Sequence, residues 1–154
     1  MKSQTFMCTI SPMRLEHHVL LSAVVSGVVY AASRSMPATL SSLFVGIFLD
    51  GDHVLDYLRE YGLRLNLREL FHASYERTFK RTFLIFHAWE WMPLVLLLAW
   101  LSSGNPWIVG AAIGWTQHLL ADQLVNTPNK WAYSILWRWR HGFDHKVSFP
   151  FHER

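Results

Sequence analysis

The chain has 154 residues, enough for one domain, with 51% hydrophobic and only 16% charged residues and a formal charge of +3. Cys8 is the single cysteine, which excludes an intrachain disulfide and a cysteine-built metal site, and so apolar a chain is no disordered basic tail. Nine histidines stand out, because imidazole is the commonest protein metal ligand and changes charge near neutral pH.

The first apolar run is Val19 to Ser33 (VLLSAVVSGVVYAAS), preceded by His17 and His18. The second is Pro37 to Leu49 (PATLSSLFVGIFL), which ends in DGDH, Asp50 to His53. A full span needs about 20 apolar residues, so each run alone fits a buried core helix as well as a crossing. Residues 54–82 hold no membrane-length run and read as two amphipathic helices broken near Gly62, with Leu58, Leu65 and Leu70 as apolar anchors. Their basic residues suit an anionic lipid surface; a solvated hairpin packed on the bundle fits the same pattern. Phe83 to Ser103 is a third run, carrying His87, Glu90 and Pro93, and Pro106 to Val125 a fourth, carrying His118 and Asp122. Pro128 opens a tail in which 129–140 reads as an interfacial helix. No internal repeat, glycine-rich phosphate loop or low-complexity stretch occurs, and nothing points to nucleic acid.

Charge arbitrates the topology. With four crossings, every basic residue except Arg34 falls on one side, in 1–18, 50–82 and 126–154. The positive-inside rule then places both termini in the cytoplasm. Trp89, Trp91, Trp131, Trp137 and Trp139 fall near the inner interface and Trp100 and Trp107 near the outer, as aromatic belts do. The expected architecture is all-α: a single membrane-embedded domain over 1–154, of about four short spans, with an amphipathic helical insertion at 54–82 between spans two and three. A soluble helical protein with a large apolar core, and a cleaved leader over Val19 to Tyr30, are the competing readings.

On that topology the unusual polar residues converge. His17 and His18 begin the first span. Asp50, Asp52 and His53 finish the second, His87 and Glu90 start the third, and His118 and Asp122 finish the fourth. All sit at one membrane face. His118 and Asp122 are an i,i+4 pair, and His87/Glu90 and Asp50/His53 are i,i+3 pairs, so each pair shares a helix face. Neighbours on a helix point about 100° apart, so at most one of His17 and His18 faces the site, with His18 preferred. Unpaired carboxylates in this setting cost several kcal/mol, and a divalent cation removes that cost. Nitrogen and oxygen donors without thiolate suit zinc best, with manganese or iron as alternatives, as one or two ions. The bland readings are an interhelical hydrogen bond for His118/Asp122, helix capping for Asp50/His53 and an ion pair for Glu90. Asp56 reads as a cap or a support for the ligands, and His72 as surface. The tail stretch HGFDH, with His141, Asp144 and His145, has ligand spacing of its own.

The order HH, DxDH, His, HxxxD on short apolar helices resembles the YdjM-like, inner-membrane-associated family of membrane-bound metal-dependent hydrolases. That family is distantly similar to the zinc-dependent phospholipase C and P1 nuclease group. The resemblance runs from about His17 to Pro128, and DGDH and HLLAD are its most specific pieces. It implies a bacterial inner-membrane protein in which His17 or His18, Asp50, Asp52, His53, His87, His118 and Asp122 are metal ligands, Asp122 bridging two ions. It departs at RTFKRTFLIFH, which lacks the family's first histidine; FHAWE supplies Glu90 instead. The function expected is hydrolysis, by a metal-activated water, of a phosphoester or lipid-like substrate at the cytoplasmic membrane face. Asp52 or Glu90 would be the general base, and Arg81 or Lys80 would hold a phosphate. The alternatives are a metal-stabilised structural or transport bundle and a haem protein. The carboxylates argue against the second.

Overall fold

The computed structural model describes residues 13–76, 78–127 and 129–150; Lys2, Cys8, Arg77, Pro128 and Arg154 lie outside them. Helix α1 (Leu15–Ser33) ends at Arg34, whose φ of 51° breaks the helical path. Ser35 then opens α2 (Met36–Phe48) by accepting the Ala38 N–H, with Pro37 in the first turn, where a missing N–H costs nothing. A 3-10 turn, Leu49–Gly51, leads straight into α3 (Asp52–Tyr61), so helical chain runs from Met36 to Tyr61. Gly62 stops it at a φ of 85°, a backbone region that only glycine enters freely. Asn66 caps α4 (Leu67–Tyr75). After an irregular strap over 78–90 come α5 (Trp91–Leu101), α6 (Pro106–Val125, capped by Asn105), α7 (Ile135–Arg140) and α8 (His145–Ser148, capped by Asp144). Among the described residues there is no strand, only an isolated bridge between Arg81 and Asp144.

Phe83 to Ser103, expected as one span, is helical only from Trp91. The reason is local: the N–H groups of Phe83, Leu84, Phe86 and His87 go to carboxylates on α3 rather than to a helix ladder. The 11 residues of α5 reach about 16 Å, half of a hydrocarbon core. Leu15–Ser33 and Met36–Tyr61 are long and apolar enough to cross a membrane. The four-span expectation is met, by length and composition, at these two runs only.

Helix α6 is the hub, packing on α1, α2 and α5. It runs parallel to α2, and the two approach through small residues. A Cβ on Gly110 would collide with the Ala38 carbonyl, and one on Gly114 with the Ser42 carbonyl. The spacing GAAIG is the small-xxx-small pattern that lets helix backbones touch. α1 lies antiparallel to both and turns His18, Ser22 and Ser26 inward. Its outward residues are apolar, as are those of α2: Leu20 is 67% exposed, Val28 63% and Phe44 62%. Two apolar clusters complete the interior. Leu49, Leu84, Leu119, Tyr133 and Phe149 lie below the polar site, and Tyr57, Leu70, Ala73 and Phe79 join α3 to α4.

Candidate metal centre

Parallel α2 and α6, with α1 antiparallel, bring His18, Asp50, His118 and Asp122 to one end of the bundle. His18 comes from the first turn of α1, Asp50 from the 3-10 turn, and His118 and Asp122 from one face of α6. His53 adds a ring from the first turn of α3, and the strap adds His87. His18 and His118 stack with ring centroids 3.9 Å apart.

The distances have a pattern. His18 Nε2 lies 3.1 Å from Asp122 Oδ1, and His118 Nε2 lies 3.4 Å from Asp50 Oδ1 and 3.5 Å from Asp122 Oδ2. His87 Nε2 lies 3.5 Å from Asp50 Oδ1 and 3.6 Å from Asp122 Oδ2. Most are too long for good hydrogen bonds. They match the edge of a tetrahedron of nitrogen and oxygen ligands around zinc, about 3.3 Å for bonds near 2.0–2.1 Å.

The tautomers sharpen this. His118 Nδ1–H donates to the Gly46 carbonyl at 2.8 Å, and His87 Nδ1–H to Asp52 at 3.3 Å. In the neutral rings both Nε2 atoms are then bare acceptors, and they face each other at 3.1 Å. Two lone pairs at that distance repel unless positive charge lies among them. Burial works against charge on His87, yet the carboxylates of Asp50 and Asp52 outweigh it and hold its pKa above the ordinary value. The cluster is therefore arranged so that it could hold a cation, a proton or a metal.

The donors fall into two groups that could each hold an ion: His18, Asp50, His118 and Asp122; and Asp50, His53 and His87. The shared residue is Asp50, not Asp122, because Asp50 sits on the turn where α2 meets α3 and lies between the two sets of rings. The groups differ in character. The first offers four donors, the number that closes a structural zinc site; the second offers three, the number that leaves a position for water. Asp50 and His53 keep about a quarter of their side-chain surface (25% and 28%), whereas His18, His87, His118 and Asp122 keep at most 3%.

The strap holds His87 in place. Asp52 accepts from the N–H groups of Phe86 (2.6 Å) and His87 (3.2 Å), as well as from the His87 ring. Asp56 accepts from Phe83 (2.9 Å) and Leu84 (3.2 Å). Arg138 is fully buried and donates one Nη2 to the carbonyls of Leu84 (2.9 Å) and His87 (3.0 Å). Burial lowers its pKa, an effect the nearby Asp52 and Asp56 carboxylates oppose. Trp115 Nε1 donates to the Phe86 carbonyl. On α6, Asn126 Nδ2 donates to Asp122 Oδ1 at 2.7 Å and fixes that carboxylate.

Some expected residues lie elsewhere. His17 points outward, and its Nδ1 accepts the Arg14 N–H. Asp52 stands behind His87 instead of among the donor groups, because three N–H donors claim its Oδ2. Glu90 accepts from the Ser134 hydroxyl and the Leu136 N–H, tying the start of α5 to the start of α7. Burial raises its pKa less than the Ser134 hydroxyl and backbone N–H groups lower it. Lys80 and Arg81 line a separate pocket of about 270 Å³ with Asp56, Arg59, Glu60 and Phe83, so they do not meet the donor groups. The tail residues are dispersed: His141 bonds the Trp137 carbonyl, Asp144 caps α8 and His145 meets Thr82. His72 is on the surface. Sequence reading had no role for Asn126 or Arg138. Asn126 was accessible from its i,i+4 spacing to Asp122, whereas nothing local marks Arg138 as buried.

A cavity of about 450 Å³ opens against the cluster, with Asp50, His53, His18 and Asp122 on its polar wall. The rest of its lining comes largely from apolar side chains of α1, α2, α3, α4 and the C-terminal segment. Comparison with protein-family models, curated proteins and solved structures finds no match to this chain.

Proposed function

We propose that this protein is a membrane-embedded, metal-dependent hydrolase acting on a phosphoester or similar ester of a lipid-like substrate. The observation that carries this reading is the three-donor group of Asp50, His53 and His87, whose exposed members face an apolar cavity. A divalent ion there, zinc first, would lower the pKa of a bound water toward ~7 and polarise the scissile group. His18, His118 and Asp122 would hold a second ion with Asp50 in common, a closed site that keeps the wall of the first in shape. Asp52 fixes the His87 ring and Asn126 fixes Asp122, which raises ligand basicity and limits motion. Asp52 and Glu90 do not line the cavity, which leaves Asp50 and His53 as the ionisable groups of the three-donor set on its wall.

The membrane setting is supported by inversion of the usual pattern. The inward stripe of α1 is His18, Ser22 and Ser26, while its outward residues are Leu20, Val24 and Val28. α2 likewise buries Ala38, Ser41, Ser42 and Gly46 and shows Leu40, Phe44 and Phe48. Small polar residues inside and large apolar ones outside is what lipid selects. The site then lies at the face that carries the basic segments, which the positive-inside rule makes cytoplasmic. α5 and α6 complete a four-helix bundle in the bilayer, α5 covering one side of α6.

The test is elemental analysis of the purified protein beside Asp50→Asn, which belongs to both donor groups, followed by assay of phosphomonoesters and phosphodiesters with the loaded protein. One or two equivalents of metal, reduced in the variant, with metal-dependent hydrolysis, supports the reading. Metal without hydrolysis of any ester, together with loss of the fold on chelation, points instead to a metal-stapled structural or transport bundle. The four-donor group joining α1, the α2–α3 corner and α6 would serve that role equally well. No metal after reloading leaves a protonated histidine network and ends both.

A further inference from the structure

We propose that the 450 Å³ cavity is the berth of one long alkyl or acyl chain, and that this chain enters sideways from the bilayer between α1, the end of α2 and α4. The inference rests on the hydrolase reading and names its substrate class: a single-chain amphiphile whose ester headgroup reaches Asp50 and His53. The first ground is the rim. Val19, Phe48, Leu67 and Phe71 all line the cavity, yet they are 41%, 61%, 59% and 38% exposed. They belong to the cavity wall and to the outer surface at once. The second ground is continuity. The Phe48 ring packs on Phe44, with centroids 4.5 Å apart, and Phe44 is part of the outward apolar stripe of α2. On α1, Val19 likewise adjoins the outward Leu20. The mouth is thus continuous with the surface assigned to lipid.

The third ground is charge. Among the described residues no Lys or Arg lines the cavity, and Lys80 and Arg81 serve another pocket. A soluble phosphorylated substrate would find no Lys or Arg side chain to steer or hold it, only imidazoles, the donor groups and whatever cation they carry. An apolar chain needs no such help. The volume also sets a limit: about 450 Å³ lies in the lower part of the range that takes one drug-sized ligand, room for one chain and not two.

The experiment uses the full chain, zinc-loaded, in nanodiscs, with hexadecylphosphonate carrying a diazirine at mid-chain. Photolysis and peptide mapping locate the chain, and zinc is counted in the same samples. The expected result is labelling of Leu70, Phe71 and Val54, reduced at least tenfold in Ser74→Trp, which fills the cavity wall without touching a donor. Butylphosphonate should not protect, because it lacks the chain. If Ser74→Trp does not fold, Val54→Phe replaces it. Labelling confined to outward residues of α1 and α2, or unchanged in the filled variant, overturns the berth. Cavity labelling without bound zinc would leave the berth standing and overturn the hydrolase reading.

Discussion

Asp50 is the residue on which the centre turns. It belongs to both donor groups, and among the described residues it is the one carboxylate that does. Asp50→Asn should therefore empty both positions, whereas Asp122→Asn should spare the group of Asp50, His53 and His87. Metal counting on the two purified variants separates these outcomes, and equal losses would remove the two-position description. Asp52→Asn should keep the ligands but lose their orientation, weakening metal binding by roughly 10–100-fold in a competition titration. The pairs His118/Asp122 and Asp50/His53 were legible because helical spacing alone puts them on one face. Helical phase says that His17 and His18 do not both face the site without choosing between them, and the structure places His18 inward. Glu90 was misleading because its apolar setting resembles that of a ligand. Its partners, Ser134 and Leu136, lie more than forty positions away, and no local pattern connects them.

Elements carry a different kind of information. The α2–α6 contact depends on the absence of side chains at Gly110 and Gly114, so Gly114→Ala must push the helices apart. A cost of at least about 1–3 kcal/mol is expected, since the neighbour is backbone and cannot swing away. Gly27→Ala on α1 meets nothing within 4 Å and should be neutral or stabilising by up to ~1 kcal/mol. Thermal unfolding of the two variants in one detergent tests the contrast. Glu90 gives a pH-dependent case at the α5–α7 junction. Its pKa is depressed on folding, so its contribution is complete above the ordinary carboxylate value and is lost as pH falls through the lowered one. Glu90→Gln should lower the melting temperature at neutral pH with metal content unchanged, and the gap from wild type should close on acidification. A constant gap would assign the effect to packing. Helix starts at Pro37 and Pro106 and the break at Gly62 were visible in the sequence. The strap was not, because its residues read as an apolar helix and become irregular only when Asp52, Asp56 and Arg138 take their backbone groups.

At the scale of the whole molecule the two helical runs long and apolar enough to cross a membrane begin with helices, α1 and α2, that turn large apolar side chains outward and small or polar ones inward. On the membrane reading, the protein should stay with membranes through alkaline carbonate and leave them only with detergent; release by carbonate would return it to the soluble class. Composition made the apolar character legible from the start. How many helices cross was less so, since α6 packs on three neighbours and its polar residues serve the site.

The strap also sets an order of events in the cell. His18, Asp50, His53, His87, His118 and Asp122 have all been synthesised before Arg138 leaves the ribosome, and among the described residues that guanidinium is the side chain that ties down the carbonyl of His87. Until α7 docks, the chain owns every donor of the centre, and the strap that carries His87 is held by Asp52, Asp56 and Trp115 without the guanidinium. A chain without α7 would thus carry every donor of the candidate centre on a strap with one fewer tie.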